Sequence, residues 1–144
     1  MPTLDFFFHP SFENVLNLLQ DKGLPVEDLK NQDLNRFIGF GNESELKAVI
    51  GLELHGKFAL LRSLAVVDGF QKKGLGTQLV RKIEDQARRL PIETLFLLTT
   101  TAKEFFLKLG YLETERDSLP EEIKRTEEFV SLCPASSSIL KKKL

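Results

Sequence analysis

Gln71-Lys72-Lys73-Gly74-Leu75-Gly76 is the stretch whose residue types and spacing most directly suggest chemistry. Glycines at the start of a helix let backbone N–H groups approach an anion with no side chain between them. The helix dipole and the neighbouring Lys72 and Lys73 favour negative charge at that point, so a pyrophosphate is the natural guest. Three phosphate-binding patterns compete for the segment. A Walker loop has the spacing of Gly69 and Gly74, but Leu75 and Gly76 stand where a lysine and a hydroxyl are required, which argues against nucleotide hydrolysis. A dinucleotide fingerprint is met by Gly74 and Gly76 but fails at Leu79, which takes the third glycine position. The pattern [QR]-x-x-G-x-[GA] is met in full.

A second group of residues can handle protons or meet a charged partner. Glu53 and His55 close one apolar strand, and Arg62 and Ser63 lie within the next. A carboxylate or an imidazole can accept a proton, directly or through an ordered water. Glu53 is the only acidic side chain between residues 49 and 67, and is the expected general base. His55, beside the Gly56 turn, is the second candidate. A buried arginine needs an anion, so Arg62, with Ser63, either meets a substrate carboxylate or pairs with Glu53. Cys133 is the single cysteine and reads as a quiet structural thiol, because nothing places a histidine beside it.

These residues must be positioned by an alternation of strands and helices. Residues 4–8 are apolar and aromatic, suiting a first strand. Phe12, Val15, Leu16 and Leu19 recur at helical spacing after Ser11, and residues 25–29 suit a further helical turn. Residues 36–40 read as a strand. Residues 46–54 alternate with a period of two, and residues 58–67 form a longer apolar run; the short turn between them predicts an antiparallel pair. The helix over residues 74–90 places Leu75, Leu79, Ile83 and Ala87 on one face. A strand at 93–98, a helix carrying Ala102, Phe105, Phe106 and Leu109, an extended piece from Tyr111, a short acidic helix after Pro120 and a last strand around Ile139-Leu140 complete the order. Two strand-to-helix steps favour locally parallel pairing, and the class is α/β (α+β) in a single domain over residues 1–144.

With the glycine motif in its strand-and-helix setting, the chain resembles the GCN5-related N-acetyltransferase superfamily. Leu64-Ala65-Val66 occupies the end of that superfamily's central strand. Its pattern N-x-x-A-x-x-x-Y-x-x-x-G-[FY] is echoed by Thr99, Ala102, Phe106, Gly110 and Tyr111. The resemblance spans roughly residues 48–111. It implies a twisted mixed sheet of about six or seven strands with about four helices, splayed open near the glycine loop, with a bulge beside Val66 and Val67 that frees backbone groups for the pantetheine of acetyl-CoA. The pyrophosphate is then expected on the amides of Lys72, Lys73, Gly74, Leu75, Gly76 and Thr77. Gln71, Leu64, Ala65, Val66, Val67, Thr99 and Phe106 complete the expected cofactor site, and no metal is involved. The runs 60–66, 97–102 and 132–136 are similar to one branch, the N-acetylglutamate-synthase-like and arsenic-resistance-operon-associated small acetyltransferases. That branch implies a small, amino-acid-like amine as acceptor, attacked directly in a ternary complex.

The match departs from the superfamily pattern at two places. Phe106 stands where many relatives carry a tyrosine that protonates the departing thiolate, and Thr99 replaces an asparagine. Another hydroxyl, Cys133 or water would have to supply the proton, or the thiolate leaves unaided, since a thiol is far more acidic than an alcohol. The alternative is a CoA-binding sensing or interaction module with a degenerate site. Tyr111 fits the core aromatic after the glycine rather than an acid.

Composition sets the remaining expectations. Hydrophobic residues make up 42% and the net charge is -1, so the chain has material for a core and no strong field toward nucleic acid or membrane. Lys141, Lys142 and Lys143 read as a solvated end. A lone cysteine suits a reducing compartment, the start lacks a basic secretory region, and no run reads as a membrane span, which together suggest a cytoplasmic protein. The phenylalanine-rich start is a candidate surface for a homodimer.

Overall fold

The computed structural model describes residues 3–42, 44–71, 74–126, 129–130 and 137–144. Lys72, Lys73 and Cys133, named above as site candidates, lie outside them. One sheet threads the seven strands of the described residues in the order β1-β2-β3-β4-β5-β7-β6. The strands are β1 (Asp5–Phe8), β2 (Phe37–Gly41), β3 (Leu46–His55), β4 (Phe58–Val66), β5 (Thr94–Thr99), β6 (Leu112–Thr114) and β7 (Ser138–Lys143). The α-helices among the described residues are α1 (Phe12–Asp21), α2 (Leu75–Arg89), α3 (Lys103–Lys108) and α4 (Glu121–Lys124). The expected further turn after α1 is a pair of 3-10 turns, Leu29–Asn31 and Leu34–Arg36. None of the described helices is long and apolar enough to cross a membrane.

Local sequence accounts for the helices. Ser11 caps α1 by accepting from the Asn14 amide at 3.2 Å, and the apolar face of α1 buries Val15, Leu18 and Leu19. α2 buries Leu75, Leu79, Val80, Ile83 and Ala87 and ends with Arg88 and Arg89 where cations suit the dipole. α2 and α3 cover one face of the sheet, closing a core that includes Ile50, Leu52, Leu61, Leu79 and Leu97. α1 covers the other face with Phe37, Val49 and Ala65, and α4 adds Leu60, Phe96 and Ile123. β3 is therefore buried on both faces from Ala48 to Leu52. Its period of two does not mark a solvent side: Gly51 is there because the Phe37 ring occupies the place of a side chain, 2.5 Å from an ideal Cβ.

Two readings of the sequence are corrected here. The two strand-to-helix steps yield a single parallel pair, β4 with β5, because β7 inserts between β5 and β6 and pairs antiparallel with both. Lys141, Lys142 and Lys143 are not a loose end but part of β7, opposite Phe96, Leu95 and Thr94; Lys141 and Lys143 are exposed to solvent, as expected, and Lys142 is half-buried. Lys142 turns its Nζ onto the buried Glu84 carboxylate at 3.0 Å.

Glu84 is the centre of a clamp between α2, β7 and the end of α3. Its Oε2 also accepts from the Tyr111 hydroxyl at 2.8 Å, and Arg81 donates to Oε1 at 3.0 Å. Lys142 and Arg81 both reach the Leu109 carbonyl, at 3.2 and 3.3 Å. Burial alone would raise the Glu84 pKa, but the bonds from Lys142, Tyr111 and Arg81 outweigh it and hold the group below its ordinary 4.5. Burial first, then the Glu84 charge, pushes the Tyr111 phenol well above its ordinary value. Tyr111 is thus a packing and clamping residue, as its position suggested, and its proton is committed. Replacing Tyr111 with Phe should lower stability at pH 7 by about 1.5–3 kcal/mol, the range for a hydrogen bond to a charged group, and leave catalytic turnover unchanged. A depressed carboxylate contributes stability above its unfolded pKa and loses it as pH falls through the folded value. The stability gap between the two proteins should therefore narrow below pH 4.5, which urea unfolding at a series of pH values would read.

Candidate active site

The sheet opens beside the glycine loop. β4 and β5 pair only from Phe58↔Thr94 to Leu60↔Phe96, while β4 continues along β3 to Ala48↔Val66. The cause lies in β4 itself. Between Gly51↔Arg62 and Val49↔Ala65 the register shifts, so Ser63 and Leu64 together oppose Ile50, and Ser63 takes a left-handed φ of 61°. Such a bulge bends its strand and breaks the ladder. The expected bulge beside Val66 and Val67 is therefore three residues early, a correction to the sequence reading. The backbone there is not free either: the Val67 amide donates to the Lys47 carbonyl at 2.8 Å, and Gln71 Nε2 donates to the Val66 carbonyl at 3.2 Å.

A cavity of about 370 Å³ fills the opening. Its lining passes through the sheet. Ile50, Leu61, Leu97, Ala102 and Phe106 belong to the core under α2 and α3. Leu98 faces the α4 side, and Leu24 packs with the α1 core. Arg62, Ser63, Leu64, Thr99 and Ser137 bring polar groups or backbone to the same walls. Of the expected cofactor residues, Leu64, Thr99 and Phe106 therefore meet in one cavity, together with Arg62 and Ser63. Val66, Val67, Gln71, Gly74, Leu75, Gly76 and Thr77 are not on its wall; they continue from β4 into α2 beyond it.

The loop end of α2 has the backbone that an anion needs. Gly74 is the N-cap in a left-handed conformation, φ 76°, with no side-chain cap. The first intrahelical bond runs from Gln78 to the Gly74 carbonyl at 3.0 Å, so the amides of Leu75, Gly76 and Thr77 precede the ladder and point toward the loop. An added Cβ on Gly76 would lie 3.3 Å from the Phe105 ring of α3. Asp68 of the loop is tied to Lys22 after α1 at 2.6 Å.

Arg62 sits 5% exposed in a charge cluster. Its Nη1 and Nη2 bond the two Asp28 oxygens at 2.5 and 2.7 Å, Nη1 also reaches Glu53 Oε1 at 2.9 Å, and Nε donates to Ser63 Oγ at 3.2 Å. Glu53 Oε2 is 2.5 Å from His55 Nε2. Both reasons given for Arg62 are thus qualified: it pairs with Glu53, and Asp28, which nothing in the sequence singled out, is its main partner. Neither Glu53 nor His55 is on the wall of the cavity, and each Glu53 oxygen has a partner, Arg62 for Oε1 and His55 for Oε2.

Phe106 packs edge-on against Phe105 and Tyr111, with centroids 5.0 and 5.3 Å away, and carries no proton to give. Thr99 stands closer to proton chemistry. Its hydroxyl oxygen accepts from the Ala102 amide at 2.9 Å and the Thr101 amide at 3.3 Å. A hydroxyl whose oxygen is spent on accepting keeps its own proton for another partner. Among the described residues no group of acidic, histidine and cysteine side chains is arranged to hold a metal.

The comparisons agree with this geometry. The model of the Acetyltransferase (GNAT) family matches residues 5–111. An uncharacterized N-acetyltransferase of Chlorobaculum tepidum is 39% identical over 69 residues, covering 48% of this chain and 44% of that protein. An amino-acid acetyltransferase of Pseudomonas syringae is 40% identical over 60 residues, 42% of this chain and 14% of the other. The structure of N-acetylglutamate synthase from Neisseria gonorrhoeae, complexed with coenzyme A and N-acetyl-glutamate, superposes with a TM-score of 0.81 at 24% identity, over 100% of this chain and 36% of that one. The chain thus spans less than half the length of each of these three proteins.

Proposed function

Because the chain belongs to the GNAT family of acetyltransferases, we propose that it moves an acetyl group from acetyl-CoA to the primary amine of a small, amino-acid-like acceptor. The observation that carries this reading is the cavity through the splayed sheet, with a bare helix N-terminus at one side and a polar wall at the other. The pyrophosphate lies on the amides of Gly74 to Thr77, with Lys72 and Lys73 supplying charge. The pantetheine runs past Leu64 and Ala65 toward Phe106. The acceptor enters from the side of Leu24, Arg62 and Ser63, and its amine attacks the thioester carbonyl directly. The likeness to amino-acid acetyltransferases and to a synthase crystallised with N-acetyl-glutamate supports an amino-acid-like acceptor.

In the chemical step the amine nitrogen bonds to the acetyl carbon, the C–S bond breaks, and the thiolate leaves. Holding both reactants in one water-poor cavity supplies most of the advantage. Phe106 gives the sulfur an apolar wall. The Thr99 hydroxyl is the donor nearest in kind to the missing phenol, and a thiolate needs little help to leave. Proton removal from the acceptor ammonium is assigned to Glu53 with His55 through ordered water, since neither side chain lines the cavity.

Release of free thiol from acetyl-CoA across the common amino acids and simple amines tests the reading. Turnover by the wild type supports it. Thiol release that appears only after Phe106→Tyr would replace the transferase with a CoA-binding module. For the base, Glu53→Gln should lower kcat by about 100-fold at neutral pH, the low end for a positioned base, and the rate should recover toward high pH, where the amine deprotonates alone. Acetyl-CoA affinity should not change. Wild-type kcat at neutral pH in that variant would leave Glu53 as a partner of Arg62 only.

A further inference from the structure

Ser137 lies just before β7, beside Ser138, whose Cα partner is Thr99 on β5. It is 8% exposed, it lines the cavity, and its hydroxyl has no hydrogen-bond partner among the described residues. A buried hydroxyl without a partner is costly, and native proteins keep few of them. The other buried and half-buried polar side chains on the wall are already engaged, while Thr100 and Thr101 stand exposed to solvent. Arg62 is held by Asp28, Glu53 and Ser63, and Thr99 accepts two amides. Ser137 is the buried hydroxyl there whose donor and acceptor capacity is still unspent.

We infer that Ser137 is an acceptor-binding residue, whose hydroxyl donates to the carboxyl or carboxamide oxygen next to the reacting amine. The inference rests on the transferase reading above and adds to it the group that distinguishes an amino-acid-like acceptor from a plain alkylamine. The chemistry of the wall fits this role. One guanidinium faces two carboxylates in the Arg62 cluster, so its charge is answered within the protein, and an incoming oxygen requires a further donor. A site built to hydrogen-bond a substrate oxygen discriminates against the analogue lacking it, because the site's buried polar group is then left unpaired.

Steady-state kinetics of wild type and Ser137→Ala on the intact chain provide the test. The acceptors are the twenty common L-amino acids and, for the best of them, its α-carboxamide and the amine lacking the carboxyl group. Ser137→Ala should raise KM for the amino acid, the carboxamide or both by about 3- to 10-fold, the worth of one neutral hydrogen bond. It should leave KM for the plain amine, kcat and acetyl-CoA affinity unchanged. Which of the two oxygen-bearing acceptors responds identifies the oxygen read. The melting temperature should not fall, since no intramolecular bond is lost. An equal KM change for all three acceptors, no change for any, or a fall in melting temperature would overturn the inference while leaving the transferase reading intact. A wild type that releases thiol with none of the amines overturns both.

Discussion

Replacing Gly76 with valine should abolish measurable acetyl-CoA binding while the protein stays folded. Gly76 is the second residue of α2, where the proposed pyrophosphate contacts backbone. A branched side chain there stands between the phosphate oxygens and the amides, and its Cβ also presses on Phe105 from 3.3 Å. The helix itself has little to lose, because valine forms helix somewhat better than glycine. The expected loss in affinity is at least about 100-fold, close to 2.8 kcal/mol, with a parallel loss in kcat/KM. In the wild type, acetyl-CoA should raise the melting temperature by mass action; in Gly76→Val it should not. Gly74 gives a related result with a different cause. Its φ of 76° is strained for any residue with a Cβ, although space is open around it. Gly74→Ala should therefore cost about 1–2 kcal/mol of stability and disturb binding less than Gly76→Val. Calorimetric affinity for Gly76→Val within about threefold of wild type, or ~0.7 kcal/mol, would remove the glycine loop from the cofactor site.

The second large effect belongs to Arg62. Arg62→Met keeps the bulk of the side chain but leaves Asp28, 1% exposed, without its guanidinium. Removing one member of a buried ion pair costs about 3–5 kcal/mol, since the remaining charge stays desolvated. A stability loss of that size should appear in urea unfolding. The double variant Arg62→Met with Asp28→Leu should recover more than half of it, because the stranded charge is gone. Both variants should lose acceptor turnover, since Arg62 itself lines the cavity. Equal instability of single and double variants would mean that the stranded Asp28 charge is not the cause.

The predicted effects separate two kinds of residue. The glycine loop acts through backbone, so its substitutions should change cofactor affinity first. The Arg62 cluster and the Glu84 clamp act through buried charge, so their substitutions should change stability first. Ser137 belongs to neither class: its loss should change only the acceptor KM.

How much of this was legible in the sequence follows from the range of each interaction. The Gln71–Gly76 motif, the helix behind it, the capped α1 and the antiparallel β3–β4 pair were readable because each depends on residues close in the chain. Periodicity, a cap or a short turn determines them before any tertiary contact forms. The resemblance carried by Thr99, Ala102, Phe106, Gly110 and Tyr111 likewise lies within one strand-and-helix unit, and the packed role of Tyr111 followed from its place after Gly110.

Only the tertiary structure decided the rest. Whether Gly51 and Glu53 face solvent depends on Phe37 and α1 covering the second face of β3, which the alternation of β3 alone does not encode. Asp28 and Arg62 are 34 residues apart; the sequence showed that a buried arginine needed an anion but could not say which. The bulge at Ser63 and Leu64 is a matter of register against Ile50, and a one-residue shift in register leaves no mark on composition. β7 enters between β5 and β6 through pairing with strands about 45 and 27 positions earlier, and that insertion turns Lys142 inward to Glu84 and brings Ser137 to the cavity. Local patterns fix which elements form and what backbone they offer, whereas the partners of buried charges and the walls of a cavity are set by long-range packing.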